Sequence, residues 1–230
     1  MEAAAHGDLG YVRRALGQGN IYVDYPYGGS SNAAAGIWRG RTALMAAAWN
    51  NHPQVVSALL QAGANVNTKV AQGGSEPGWT ALHSASRADA SGIVAALIRA
   101  GAEVDGKTDK GQTPLDRASY FGSTAAARVL IREGADVNAV DNRGFTPLHN
   151  VRDYSDTARL LINSGAMVNA RTNAGDTPIL MAAWNNRASV VPILLQNGAD
   201  PCLINHVRTA AAAARDNNHE GLAKLLDPHC

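Results

Sequence analysis

Between positions 113 and 134 the apolar residues gather into two short runs, Leu115 with Ala118 and Val129 with Leu130 and Ile131, separated at Gly122. At helical spacing each run makes a narrow apolar face, and the glycine between them can take positive φ without penalty. The pattern predicts helix, tight turn, helix. Thr113, just before the first run, is placed to accept from a free backbone N–H, and Pro114 has no N–H to leave unsatisfied there. Gly134, after the second run, suits a left-handed C-terminal cap, a conformation that costs other residues roughly 1–2 kcal/mol.

The same arrangement returns along the chain. Threonines at 42, 80, 113, 146, 177 and 209 are 38, 33, 33, 31 and 32 residues apart. Gly19, Gly63, Gly101, Gly134, Gly165 and Gly198 give 44, 38, 33, 31 and 33. Both rulers describe a unit of about 33 residues with insertions early and a deletion late, which means stacked units and not one closed core. Where the internal glycine is missing, Asn51, Asp89, Asn186 or Asn218 stands in its place. Asn and Asp tolerate the left-handed conformation best after glycine.

The repeated residues carry a resemblance. Thr113-Pro114-Leu115, Gly144-Phe145-Thr146-Pro147-Leu148-His149, Gly78-Trp79-Thr80-Ala81-Leu82-His83, Gly63-Ala64-Asn65-Val66-Asn67 and Gly134-Ala135-Asp136-Val137-Asn138 closely resemble the ankyrin repeat. The resemblance implies an all-α solenoid of about seven helix-turn-helix units with short β-hairpin fingers. The expected organisation is a single domain over 1–230, with units near 1–36, 37–74, 75–108, 109–141, 142–172, 173–204 and 205–230. The first unit enters at its first helix, either as a short cap or because the chain is cut from something longer.

Composition narrows the partners. Twenty basic and nineteen acidic residues leave a formal charge of +1, without a run of Lys or Arg, so nucleic acid is not the expected partner. Nowhere do eighteen apolar residues occur in succession, and the N-terminus has no basic segment leading into a long apolar one, so neither membrane spanning nor secretion is expected. The two cysteines, Cys202 and Cys230, have the spacing of neither a disulfide framework nor a zinc site, which points to a reducing, cytoplasmic setting.

Three units depart from the pattern. The stretch from Asp24 to Gly40 makes its unit eleven residues too long, and Thr68 to Gly78 adds five. Long loops in a compact repeat protein are functional or disordered. In the first, Gly28-Gly29-Ser30-Ser31 is flexible, whereas Tyr25, Tyr27 and Trp38 are contact residues. The fifth unit is two residues short, and His149 to Ser155 is charged and bulky where others have an alanine pair, so the stack is expected to bend or open there. Pro192 would cost about 3 kcal/mol in a helix interior, which predicts a helix starting late enough to hold it in the first turn.

No catalytic set emerges. His83 and His149 close the Thr-x-Leu-His motif, where the resemblance implies an imidazole hydrogen-bonded to backbone, and no histidine pairs on one helical face as a metal site requires. Gly73-Gly74-Ser75 and Gly29-Ser30-Ser31 lack the Gly-Lys-Ser/Thr of a phosphate loop and read as linkers. Asp109, Asp141 and Asp176 read as solvated turn residues. No cofactor, metal or enzymatic activity is expected. The resemblance also places Asn67, Asn138 and Asn169 where asparagines of such repeats are hydroxylated.

The distinctive chemistry is aromatic. The resemblance points the residue before the motif threonine, and the last residues of each first helix, into a concave groove. That strip would hold Trp38, Trp49, Trp79, Tyr120, Phe121, Phe145 and Trp184 with Arg39, Arg41, Arg143 and Arg171. Trp, Tyr and Arg dominate binding hot spots because they bring large area and a polar tip with little rotamer entropy. Trp49, Trp184 and Phe121 could instead pack between helices as core. The near-identical stretches Leu44 to Asn51 and Ile179 to Asn186 can be explained by duplication of a unit.

The expected function is a protein-protein interaction module, an adaptor or regulator acting as a monomer, that binds a protein or peptide through this groove. The alternative is a small apolar ligand-binding protein or enzyme whose aromatic pocket is covered by the 25–40 and 68–78 loops. A spacer without a partner is a third reading.

Overall fold

The computed structural model describes residues 2–18, 24, 40–205 and 207–229. Among these the chain is all-α, with paired helices and no strand. The pairs are α1 (Glu2–Ala5) with α2 (Leu9–Gly17), α3 (Ala43–Trp49) with α4 (Pro53–Gln61), and α5 (Ala81–Arg87) with α6 (Ser91–Arg99). They continue with α7 (Pro114–Phe121) and α8 (Thr124–Arg132), α9 (Pro147–Asn150) and α10 (Ser155–Asn163), α11 (Pro178–Trp184) and α12 (Val191–Gln196), and α13 (Ala210–Asp216) and α14 (Glu220–Leu226).

The repeated threonine starts the first helix of a pair for the reason its position implies. The hydroxyl oxygens of Thr42, Thr113, Thr177 and Thr209 accept from the N–H three residues on, at 3.3, 3.2, 3.4 and 3.3 Å. Each such cap is worth about 1 kcal/mol. Between paired helices Asn51, Asp89, Asn186 and Asn218 adopt φ of +56°, +53°, +53° and +61°, the left-handed turn expected of them. Pro192 is the second residue of α12, so that helix does start late.

The chain divides into two compact units, 1–118 with 125–135, and 119–124 with 136–230. In the first, α1, α3 and α5 stack in one row and α2, α4 and α6 in a second. Ala46, Ala47, Ala48 and Ala85 are wholly buried where α3 meets α5, since only small side chains let helices come so close. In the second unit α9, α11 and α13 form one row while α10 packs on α12, with Ala182, Ala183, Ala213 and Ala214 playing the same part. Leu59, Leu97, Leu161 and Leu194, all buried, contribute roughly 1.5–3 kcal/mol each.

The fingers are tighter than the hairpins expected. The N–H groups of Thr108, Asp141 and Thr172 donate to the carbonyls of Gln112, Phe145 and Asp176 at 2.9, 3.0 and 2.9 Å, which closes each finger in a turn too short to form a strand. Asp141 corrects its reading as a solvated turn residue. It is buried, and one carboxylate oxygen accepts from the N–H of Arg143 at 2.8 Å and of Phe145 at 3.0 Å. Thr108 and Thr172 satisfy their own turns through a hydroxyl. The repeated asparagines join one pair to the next: the side-chain amides of Asn67, Asn138 and Asn169 donate to the carbonyls of Gly101, Gly165 and Gly198 at 2.9, 3.0 and 2.8 Å.

Cys202 is disulfide-bonded, and no described cysteine is free. The spacing of the two cysteines points away from a disulfide framework and to a reducing setting, and the bond at Cys202 departs from that expectation. Sequence separation alone does not reveal that the chain after α14 returns to the last finger, where the Cys202 sulfur lies 3.0 Å from the His229 carbonyl oxygen. No described helix is long and apolar enough to cross a membrane.

Candidate partner-binding site

In the first unit the aromatic residues gather around a buried cation. Arg41 precedes the N-cap of α3 and is only 1% exposed. Its guanidinium carbon lies 4.4 Å from the ring of Trp49 and 5.5 Å from that of Trp79, and the two indoles are 6.0 Å apart. Arg87, at the end of α5, sits 3.5 Å from the Trp49 ring. A cation over an indole gains about 0.5–2 kcal/mol, the more so out of water. Burial lowers the affinity of Arg41 for its proton, and the neighbouring Glu76 carboxylate opposes that by pairing with the guanidinium.

Glu76 comes from the second insertion, which answers the question that insertion raised. Gly73-Gly74-Ser75 reads from the sequence as a linker, but the segment 72–77 that contains it is anchored: Ser75 Oγ accepts from Arg41 Nε at 3.4 Å, Glu76 forms the ion pair, and Gln72 donates to Asp109. The insertion thus brings a counter-charge to a cation the repeat has buried. Arg41 and Trp79, at 1% and 4% exposure, lie inside this cluster and offer a partner no surface, whereas Trp49 is half-buried at its edge. Trp38, Arg39 and the rest of the 25–39 loop lie outside the described residues.

In the second unit the rings reach the surface. Trp184, at the end of α11, is 40% exposed and carries Arg208 at 4.8 Å, itself paired with Asp216. Tyr120 is 37% exposed, packs edge-on against half-buried Phe121 at 5.0 Å, and carries Arg152 at 5.4 Å. Arg143 lies 4.4 Å over the half-buried ring of Phe145 and 3.8 Å from Asp141. Arg171 is exposed, and its guanidinium donates to the carbonyls of Ile204 and Gly175. Four rings of this unit are therefore brought to or near the surface, and three have a guanidinium over them.

Sequence reading missed three members of these clusters, Glu76, Arg152 and Arg187, whereas Arg87 holds the helix-end position that the resemblance points into the groove. The deletion in the fifth unit was the signal for Arg187. Helix α9 stops after four residues, so its carbonyl at His149 loses the partner that another turn would supply. Arg187, which follows the turn after α11, fills the gap and donates to that carbonyl at 2.8 Å. Burial, then the charge of Arg152, push its pKa down to about 10, so it remains a cation at neutral pH.

The two motif histidines are structural. Nδ1 of His83 accepts from the N–H of Thr80 at 3.2 Å while Nε2 donates to the Gln112 carbonyl at 3.0 Å, which specifies the neutral ring with its proton on Nε2. His149 repeats this with Thr146 at 3.1 Å and Asp176 at 3.0 Å. Burial pushes the His83 pKa down to about 4 and lowers that of His149. Asp116 does half of the same work in the fourth unit, accepting from the N–H of Thr113 at 2.8 Å. Among the described residues no group of three or more His, Cys, Asp or Glu converges as metal ligands would.

Comparison with known families agrees with this geometry. The family model described as ankyrin repeats in three copies matches residues 69–141 and again 126–205, and the single ankyrin repeat matches 39–70. None of the curated proteins compared with the chain matches it.

Proposed function

Because the chain belongs to the ankyrin repeat family, whose repeats are generally protein-protein interaction modules, we propose that it is itself such a module, an adaptor or regulator. It binds a protein or peptide along the fingers and the ends of the first helices. The reading treats 1–230 as one monomeric repeat domain working in the cytoplasm without nucleic acid or membrane. The observation that carries it is the exposure of Trp184 and Tyr120, each beneath a guanidinium, where a repeat scaffold holds them in place before any partner arrives. A preformed surface of this kind loses little affinity to ordering on its own side.

The test is affinity capture with the full chain beside Trp184→Ala and Tyr120→Ala. Truncating a hot-spot ring weakens binding roughly tenfold or more, so at least one partner is expected to be recovered by the parent chain and depleted in both variants. Equal recovery of every partner by all three would remove the groove from the reading.

A further inference from the structure

Two guanidinium groups of the second unit belong to the end of α9, where Arg187 donates to the His149 carbonyl at 2.8 Å and Arg152 follows two residues after the helix. Arg152 is exposed and follows the shortened helix α9, and Arg187 is half-buried behind it. Among the described residues neither makes an ion pair. The carboxylate within electrostatic reach of Arg187, that of Asp153, is hydrogen-bonded elsewhere: its two oxygens accept from the N–H of Ser189 at 2.8 Å and from its hydroxyl at 3.1 Å. The neighbouring cations on this unit are otherwise engaged, Arg143 with Asp141, Arg208 with Asp216, and Arg171 with two carbonyls.

Bringing like charges together while withdrawing one from water is unfavourable, and an anion at that place would relieve both effects. The donor to the His149 carbonyl uses one of the five N–H groups of Arg187, and Arg152 lies over the ring of Tyr120 with its own donors toward solvent. The geometry points to a carboxylate-binding site formed by Arg152 and Arg187 beside Tyr120, which takes an aspartate or glutamate side chain from an acidic segment of a partner protein.

The assignment rests on the interaction-module reading and names the partner's chemistry. A planar carboxylate matches the guanidinium fork, and the exposed ring supplies area next to it. A nucleic acid strand would need a track of cations, whereas this chain has a formal charge of +1 and here a single pair.

The experiment selects random linear peptides displayed against the immobilised full chain, then measures the enriched peptides in solution. Enriched sequences are expected to share an Asp or Glu. Arg152→Glu, a change at an exposed position, should weaken them roughly tenfold or more at low salt. Replacing the shared acid by its amide should cost the parent chain as much and the variant nothing further. Arg187→Gln should act in the same direction.

Peptides without a common acid, or bound as tightly by Arg152→Glu, would overturn the carboxylate site while leaving the module reading intact. Failure of the parent chain to enrich any peptide overturns both. A single-stranded oligonucleotide bound more tightly than the peptides, and lost in Arg152→Glu, would reassign the site to phosphate.

Discussion

At the scale of single residues, the same position in successive repeats is filled by different chemistry for one purpose. In four of the units the third residue after the motif threonine is Met45, His83, Asp116 or His149, and in each a side chain accepts from the backbone N–H of that threonine. The histidines add a second bond by donating to the next finger. His83 is neutral in the fold, with a pKa of about 4 against an ordinary 6.5, so between those values the unfolded chain binds more protons. The stabilisation is fully present above pH 6.5 and is lost as the pH falls toward 4, amounting to about 3 kcal/mol over the window. Urea midpoints at pH 7 and pH 4.5 should therefore separate more for the parent chain than for His83→Gln. Parallel losses would mean that this ring is not held neutral.

Within the elements, the turns inside and after each helix pair show why one glycine differs from another. Gly122 and Gly134 both have positive φ, +72° and +92°. A β-carbon on Gly134 would meet open space, but on Gly122 it would come within 2.5 Å of the ring of Tyr154. Gly134→Ala should cost about 1–2 kcal/mol from backbone strain alone. Gly122→Ala should cost about 2–4 kcal/mol, strain and overpacking together, and adding Tyr154→Ala should return part of it. Thermal or urea unfolding of the three variants measures this, and equal costs for the two glycines would show that the ring does not rest there. Tyr154 takes that place because α9 is short: the chain leaves it early and reaches α10 by way of Arg152, Asp153 and Tyr154.

Within each compact unit stacking replaces a central core, so burial is shared out along each row and is supplied largely by alanine and leucine. Cys202, in the last finger, is disulfide-bonded. The purified chain, which has two cysteines, should take up no thiol label when denatured without reductant and two equivalents after reduction. Labelling before reduction would remove the bond. In a reducing compartment that bond would open, so the cytoplasmic setting proposed above further requires that both thiols be found free when cells are lysed directly into alkylating agent.

Local rules settled what is periodic. Threonine before a helical run, proline at its first position, and glycine, asparagine or aspartate at the turns act within a few residues of themselves, so the helix pairs, their left-handed turns and the late start at Pro192 can be read from spacing. Contacts between units answer to distances the sequence does not display. Only the tertiary structure decided that Arg41 and Trp79 are enclosed while Trp184 and Tyr120 are exposed. It likewise decided that the 72–77 insertion delivers Glu76 to a buried cation, and that a two-residue deletion leaves the His149 carbonyl to Arg187. A repeat dictates which side chains share a row, but an insertion or deletion in one unit changes which of its neighbours can reach into the space.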